Sequence, residues 1–160
     1  MVLSDLCNYG IGDRVISGFP FFWVGGLGMG LMAVLCSGAA VICPDGPSAE
    51  AIARSFVWEP THLMMRPQPA RALAEFPEFR VRAPFLRPPM GPWPRDPELA
   101  ANSLGMTETL GPHSAFKANL PPERKGSFGT RVGTIERRVI DPATGEEQPA
   151  GTTGTLSLRG

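Results

Sequence analysis

Between Ile16 and Cys43 the chain runs without a charged side chain, yet it carries Pro20 and the glycines Gly18, Gly25, Gly26, Gly28 and Gly30 inside that run. Length and hydrophobicity alone would allow a membrane span, which needs about 20 predominantly apolar residues wound as one helix. Proline removes a backbone donor, and each interior glycine weakens a helix, so a single unbroken helix is a poor fit. The periodicity also changes within the run. A buried strand, a turn and a helix are expected instead, with no transmembrane segment. Arg14–Ser17 is β-leaning and ends at Gly18. Phe19–Trp23 reads as extended, because Pro20 fixes its own φ and disfavours helix at the residue before it. Leu27, Leu31, Val34 and Leu35 recur at i, i+4, i+7 and i+8, which predicts the inward face of a helix that Gly38 would stop.

The same texture continues. Ala39–Cys43 is a short apolar run suited to a buried strand. Ser48 is placed to cap a helix reaching about Phe56, with Ile52 and Phe56 one turn apart on its inner side. Thr61–Met65 reads as a further strand, giving the alternation of a parallel α/β layer. Leu73 and Phe76 suggest one more short helix stopped by Pro77. Six of the fourteen residues from Pro84 to Pro97 are prolines, so this stretch is expected to be loop or extended chain. Beyond Lys125, Ile135, Arg137 and Val139 alternate with Glu136, Arg138 and Ile140, and Leu156 and Leu158 alternate with Thr155 and Ser157. With the turn chemistry of Asp141–Gly145 between them, these are expected β-strands. The expected fold is therefore α/β: a parallel α/β layer over 1–125, followed over 126–160 by a small β-rich continuation of the same domain.

Lys and Arg balance Asp and Glu at 15 each, so the chain as a whole has no field to gather nucleic acid or an anionic membrane. The nearest basic cluster, Arg124, Lys125, Arg131, Arg137 and Arg138, is interrupted by Glu123 and Glu136 and reads as a solvated face. Cys7, Cys36 and Cys43 form no CxxC pair, and two of them lie in strongly apolar surroundings, as reduced buried thiols do. With Asp5 and no basic start, the first residues are unlike a signal peptide, and a reducing, cytoplasmic setting is expected. His62 and His113 are the only histidines, too few for a dedicated zinc site. His62 lies in an apolar run and reads as structural. His113, held past Gly111-Pro112 in an expected turn, reads either as an exposed loop residue or as a group close to substrate.

The stretch Ser103-Leu104-Gly105-Met106-Thr107-Glu108-Thr109 carries the most chemistry. Glycine lets a ligand approach the backbone, threonine offers a short hydroxyl donor, and glutamate a hard oxygen. Phosphate bound together with Mg²⁺ needs that combination. Gly-x-Thr-Glu also arises by chance, where it is a turn followed by a solvated acid. Gly25-Gly26-Leu27-Gly28-Met29-Gly30 lacks GxGxxG spacing and is better explained by helix packing than by a dinucleotide.

Three separated blocks, in order, resemble the AMP-binding, adenylate-forming enzymes, in particular their acyl-CoA synthetase branch. Pro20–Leu27 is similar to the family's proline, apolar, Phe, His, Val, Gly, Gly, Leu segment, and Leu104–Glu108 to its Tyr-Gly-Met-Thr-Glu motif. Gly126–Gly129, Arg138–Gly151 and Gly154–Gly160 resemble the block that follows. The resemblance implies part of the large N-terminal domain of such an enzyme. The activity it implies has two steps: a carboxylic acid, expected to be a fatty acid, is activated with ATP and Mg²⁺ through an acyl-adenylate, then passed to coenzyme A. Thr107 and Glu108 would be catalytic, Thr107 on a nucleotide phosphate and Glu108 on the metal. Ser103, Leu104, Gly105 and Met106 would border the nucleotide site, and Trp23, Gly25 and Gly26 the acyl group.

Leu104 stands where the family has Tyr, and Trp23 where it commonly has His. The family's glycine-rich segment before the motif is not recognisable around Pro92, and its Ser/Thr/Gly-rich phosphate loop is not among these residues. The ribose-binding Asp and the catalytic Lys are expected beyond Gly160. The expectation is thus an internal fragment, inactive by itself. Two rivals are an adenylation domain that loads a carrier protein and a non-catalytic remnant.

Overall fold

The computed structural model describes residues 2–65, 71–87, 99, 102–116 and 118–160. The expected parallel layer is present. Strands β1 (Arg14–Ser17), β2 (Ala40–Ile42) and β3 (His62–Met64) form a sheet in the order β2-β1-β3, both pairs parallel. Alternate residues of β1 face opposite sides, as pleating requires. Ile16 joins Ile42, Ile52, Phe56, Leu63, Leu73 and Leu86 in one core. Val15 joins Cys7, Tyr9, Ala33, Val34 and Ala39 in another. Helix α1 (Val2–Cys7) and helix α2 (Ala33–Cys36) cover the second side, and helix α3 (Ala49–Arg54) the first. Ser48 caps α3 as expected, its hydroxyl accepting from the Ala51 N–H at 3.1 Å. Gly38, at φ +77°, ends the helical segment before β2.

Four readings are corrected. Phe19–Trp23 is not extended: the Trp23 N–H reaches the Pro20 carbonyl at 3.0 Å, a turn that leads directly into helix. That helix begins with a π-helical stretch, Gly25–Met32, before winding into α2. Its inward face is not the leucine row. Leu27 and Leu35 are exposed, whereas Gly26, Gly28, Gly30, Ala33 and Val34 are buried. Small residues permit the backbone itself to pack against neighbours, so the buried face carries almost no side chain. Pro77 does not stop a helix; it opens one, α4 (Pro77–Arg82), where its missing N–H is no loss. Residues 71–73 are helical and Leu73 is fully buried. Lastly, only Cys7 is buried; Cys36 and Cys43 are exposed. Burial pushes the Cys7 thiol up to about 12, partly offset by its bond to Tyr9. The proline-rich stretch falls largely outside the described residues, at 88–98.

At the amino ends of the parallel strands lies a polar cluster in which Asp13 and His62 are buried, while Thr61 is half-buried and Arg87 exposed. Asp13 accepts from the Gly10 N–H at 2.9 Å and the Thr61 hydroxyl at 3.2 Å and is paired with Arg87. His62, fully buried, has Nδ1 3.0 Å from Thr61 Oγ1, while its Nε2 has no partner among the described residues. Burial lowers its pKa; Asp13 opposes that and Arg87 adds to it. His113 is also buried and its pKa is likewise lowered, by burial first and then by Arg137. A histidine whose folded pKa lies below its unfolded value binds its proton more readily when unfolded. The stabilisation is therefore complete above the unfolded value, about 6.5, and is lost as pH falls through it. The unfolding free energy is expected to fall between about pH 7.5 and pH 5.5, by at most roughly 1.4 kcal/mol per pH unit per histidine, and the melting temperature to fall with it. A melting temperature that stays level across this range would mean that neither imidazole is held neutral.

The remaining strands are antiparallel. Strands β4 (Ser103–Met106), β5 (Gly111–Ala115) and β6 (Thr130–Arg131) form a sheet in that order, and β7 (Glu136–Ile140) pairs with β8 (Thr155–Arg159). The Asp141–Gly145 turn closes as its composition predicts, the Gly145 N–H bonding the Asp141 carbonyl at 2.8 Å. Leu6 of α1 packs with Ala115 and Val132, tying the parallel layer to β5 and the chain beside β6. Among the described residues no helix is long and apolar enough to cross a membrane.

Candidate functional site

Ser103–Met106 is a strand, and Thr107–Thr109 is a single 3₁₀ turn that delivers the chain into β5. The turn closes through the Leu110 N–H to the Thr107 carbonyl at 3.1 Å, with Leu110 in the left-handed region at φ 52°. Gly105 was read as leaving room for a ligand. The structure gives it another purpose. The β4–β5 register slips between Leu104 and Gly105, and a Cβ there would lie on the Gly111 carbonyl and 2.8 Å from the Pro112 nitrogen. Glycine is required because the partner strand comes too close for any side chain.

Thr107 and Glu108 are exposed at the outer edge of the turn, and among the described residues neither side chain has a hydrogen-bond or ion-pair partner. Ser103 is half-buried, its N–H bonded to Asn102 Oδ1 at 2.9 Å; Leu104 and Met106 are exposed. Glu108, Met106 and Leu110 border a cleft of about 590 Å³ also lined by Ile135, just before β7, and by Leu156 and Leu158 of β8. Sequence reasoning missed this lining. Its signal was the alternation of Leu156 and Leu158, which marked a strand with one apolar side but not what that side faces.

The glycine-rich helix meets the same turn. A Cβ on Gly28 would lie 2.5 Å from the Leu110 carbonyl, so the helix backbone touches the turn where it hands over to β5. Gly26 is buried beneath the Pro20 carbonyl, with a Cβ there only 2.6 Å from the carbonyl carbon, so its size serves packing. Gly25 has open space beside it. Trp23 is 42% exposed and stands edge-to-face with Phe22, ring centres 6.2 Å apart. Phe19–Phe22 lines a second cavity of about 330 Å³ with Gly18, Pro44, Pro47 and Ile52, at the carboxyl ends of β1 and β2. That edge is where open parallel sheets bind ligands. Ser103 to Glu108 thus lie on one strand and turn, whereas Trp23, Gly25 and Gly26 lie on a separate element joined to it through Gly28.

His113 is not in a turn, where both readings place it, and not exposed, as the loop reading requires. It is 2% exposed on β5, its Nδ1 2.8 Å from Ser114 Oγ, which also accepts from Arg137 at 2.6 Å. Among the described residues no group of three or more His, Cys, Asp or Glu could hold a metal by protein ligands alone.

The model of the AMP-binding enzyme family matches residues 2–160. The 4-coumarate--CoA ligase-like 9 of Arabidopsis thaliana is 39% identical over 56 residues, covering 35% of this chain and 10% of that protein. Apo MatB from Rhodopseudomonas palustris superposes with a TM-score of 0.73 at 22% identity, over 99% of this chain and 34% of its own. The O-succinylbenzoate coenzyme A synthetase MenE from Bacillus subtilis, in complex with AMP, does so with a TM-score of 0.64 at 20% identity, over 99% of this chain and 43% of its own. The chain therefore spans a third to less than half of these structures, and at such identity the likeness is one of fold.

Proposed function

The chain belongs to the AMP-binding enzyme family, and we propose that it supplies the phosphate- and metal-facing turn of an AMP-forming acyl-CoA synthetase. One observation carries the reading: Thr107 and Glu108 are adjacent and exposed on one turn, and among the described residues neither the hydroxyl nor the carboxylate has a partner. In the proposed reaction a carboxylate oxygen attacks the α-phosphorus of ATP and the bond to pyrophosphate breaks. The thiol of coenzyme A then attacks the acyl carbon of the adenylate, and AMP leaves.

The residues present fit Mg²⁺ shared with a nucleotide. That ion keeps several waters and takes one or two carboxylates together with phosphate oxygens, so a single exposed glutamate is a sufficient share for this turn. Bound there, the ion would neutralise charge on the phosphates. Glu108 would hold it, and Thr107 would donate its hydroxyl proton to a phosphate oxygen. Ser103, Leu104, Gly105 and Met106 would flank the nucleotide. Leu104 offers apolar packing to the adenine in place of an aromatic stack. The three free cysteines support a cytoplasmic setting.

We further propose that this activity belongs to a longer protein, residues 1–125 and 126–160 forming one continuous part of its domain. Residues 1–160 include no Ser/Thr/Gly-rich phosphate loop. Purified residues 1–160 are therefore expected to release no pyrophosphate from ATP and a fatty acid. Release dependent on both substrates would overturn this division of labour.

The acyl group is assigned to the region of Trp23, Gly25 and Gly26, with a fatty acid as the proposed substrate. Trp23→Ala is expected to shift the preference of the longer enzyme towards bulkier or longer acids. Because the indole is 42% exposed, its removal should cost less than the roughly 3–5 kcal/mol of a buried tryptophan, leaving a folded variant to assay. An unchanged chain-length profile would assign Trp23 to packing alone.

A further inference from the structure

Three consecutive polar side chains occupy the turn, and they are used differently. Thr107 and Glu108 make no bond within the described residues, whereas the Thr109 hydroxyl lies 2.7 Å from the Gly111 carbonyl and 3.1 Å from the Met106 carbonyl. The Met106 N–H points to the same oxygen at 3.4 Å. A hydroxyl has one proton to give, and the shorter distance places it on Gly111. Thr109 therefore ties the strand entering the turn to the strand leaving it. It does so across Leu110, at φ 52°, and Gly111, at φ +135°, two residues away from the ordinary helical or extended basins. The Leu110 carbonyl is in turn seated against Gly28. Nothing else among the described side chains bridges the two ends of the turn.

We propose that Thr109 is a positioning residue. Its hydroxyl holds the turn in the one shape in which Thr107 and Glu108 project together, so that both reach a phosphate–Mg²⁺ group without a loss of freedom on binding. This deepens the proposed function and rests on it. It also separates the two threonines of the turn: one faces the ligand, the other faces the protein. Preorganisation of this kind is expressed as affinity, because the ordering is complete before the ligand arrives.

The test uses Thr109→Val, which keeps the shape and the β-branch and deletes the hydroxyl, and Thr109→Ser, which restores it. Two quantities are read in the same protein: hydrogen exchange at the Leu110 amide, whose bond to the Thr107 carbonyl closes the turn, and the affinity for ATP with Mg²⁺ by calorimetry. Thr109→Val is expected to speed exchange at Leu110 and weaken binding about tenfold, the effect of losing one hydrogen bond, while Thr109→Ser stays close to the parent. Circular dichroism confirms that each variant is folded, and Thr109→Ala serves if valine misfolds. Unchanged exchange at Leu110 overturns the proposal. So does unchanged affinity in Thr109→Val when Thr107→Val and Glu108→Gln lose theirs. If faster exchange at Leu110 accompanies an affinity that no substitution in the turn alters, the hold of Thr109 on the turn stands and the phosphate–metal reading falls.

Discussion

Gly105→Ala is expected to destabilise the fold by about 3 kcal/mol, the upper end of the usual cost of overpacking. The added methyl would meet the Gly111 carbonyl and the Pro112 nitrogen, which are backbone atoms of the paired strand and cannot rotate aside. One side of the hairpin must move, and the register slip at Leu104/Gly105 leaves no slack to absorb it. For a protein of this size the melting temperature should fall by roughly 6–12 °C. Gly25→Ala is the contrast: open space lies beside that residue, so only the small propensity term remains, and alanine favours helix. A melting temperature for Gly105→Ala within a degree or two of the parent would mean that the paired strand leaves room for a methyl group at this position. The two melts together separate crowding from any general sensitivity of this chain to substitution at glycine.

That contrast marks where the sequence was legible and where it was not. The parallel layer could be read because its strands are short β-leaning or apolar segments and its helix α3 begins at a serine cap, both local signals. The glycine helix could not be oriented from its leucines. Hydrophobic periodicity assumes that apolar side chains point inward, but here the contact surface is the backbone of Gly26, Gly28 and Gly30, and Leu27 and Leu35 are displaced outward. His113 was misplaced for a related reason. Gly111-Pro112 is ordinary turn chemistry in sequence, yet in the structure these residues already belong to β5. The motif residues were recognised through resemblance, and their chemistry followed from residue type. What no local reading could supply was the cleft beside Glu108, because part of its lining comes from Ile135, Leu156 and Leu158, distant in the chain. The engagement of the Thr109 hydroxyl was equally hidden, since residue type does not tell which hydroxyl of the turn is already bonded to the backbone.

The second large effect is expected at the turn itself, in the longer enzyme. Thr107→Val keeps the shape of the side chain and deletes the donor. Losing one well-placed donor to a charge that develops during displacement typically costs on the order of 3 kcal/mol, or more than a hundredfold in rate. Glu108→Gln keeps the size and removes the negative charge that a hard cation needs, so the ion should bind more weakly and activity should fall at ordinary Mg²⁺. The two losses differ in kind. Weakened metal binding is overcome by mass action, whereas a missing donor is not, so the response to added Mg²⁺ distinguishes them.

The most direct test is a Mg²⁺ titration of adenylate formation by the parent enzyme, Thr107→Val and Glu108→Gln, with circular dichroism to confirm that each is folded. The account predicts that Glu108→Gln recovers part of its activity as Mg²⁺ is raised, while Thr107→Val stays low at every concentration. If both variants respond to Mg²⁺ identically, or neither loses activity, Thr107 and Glu108 do not divide phosphate and metal between them, and the turn is only a turn.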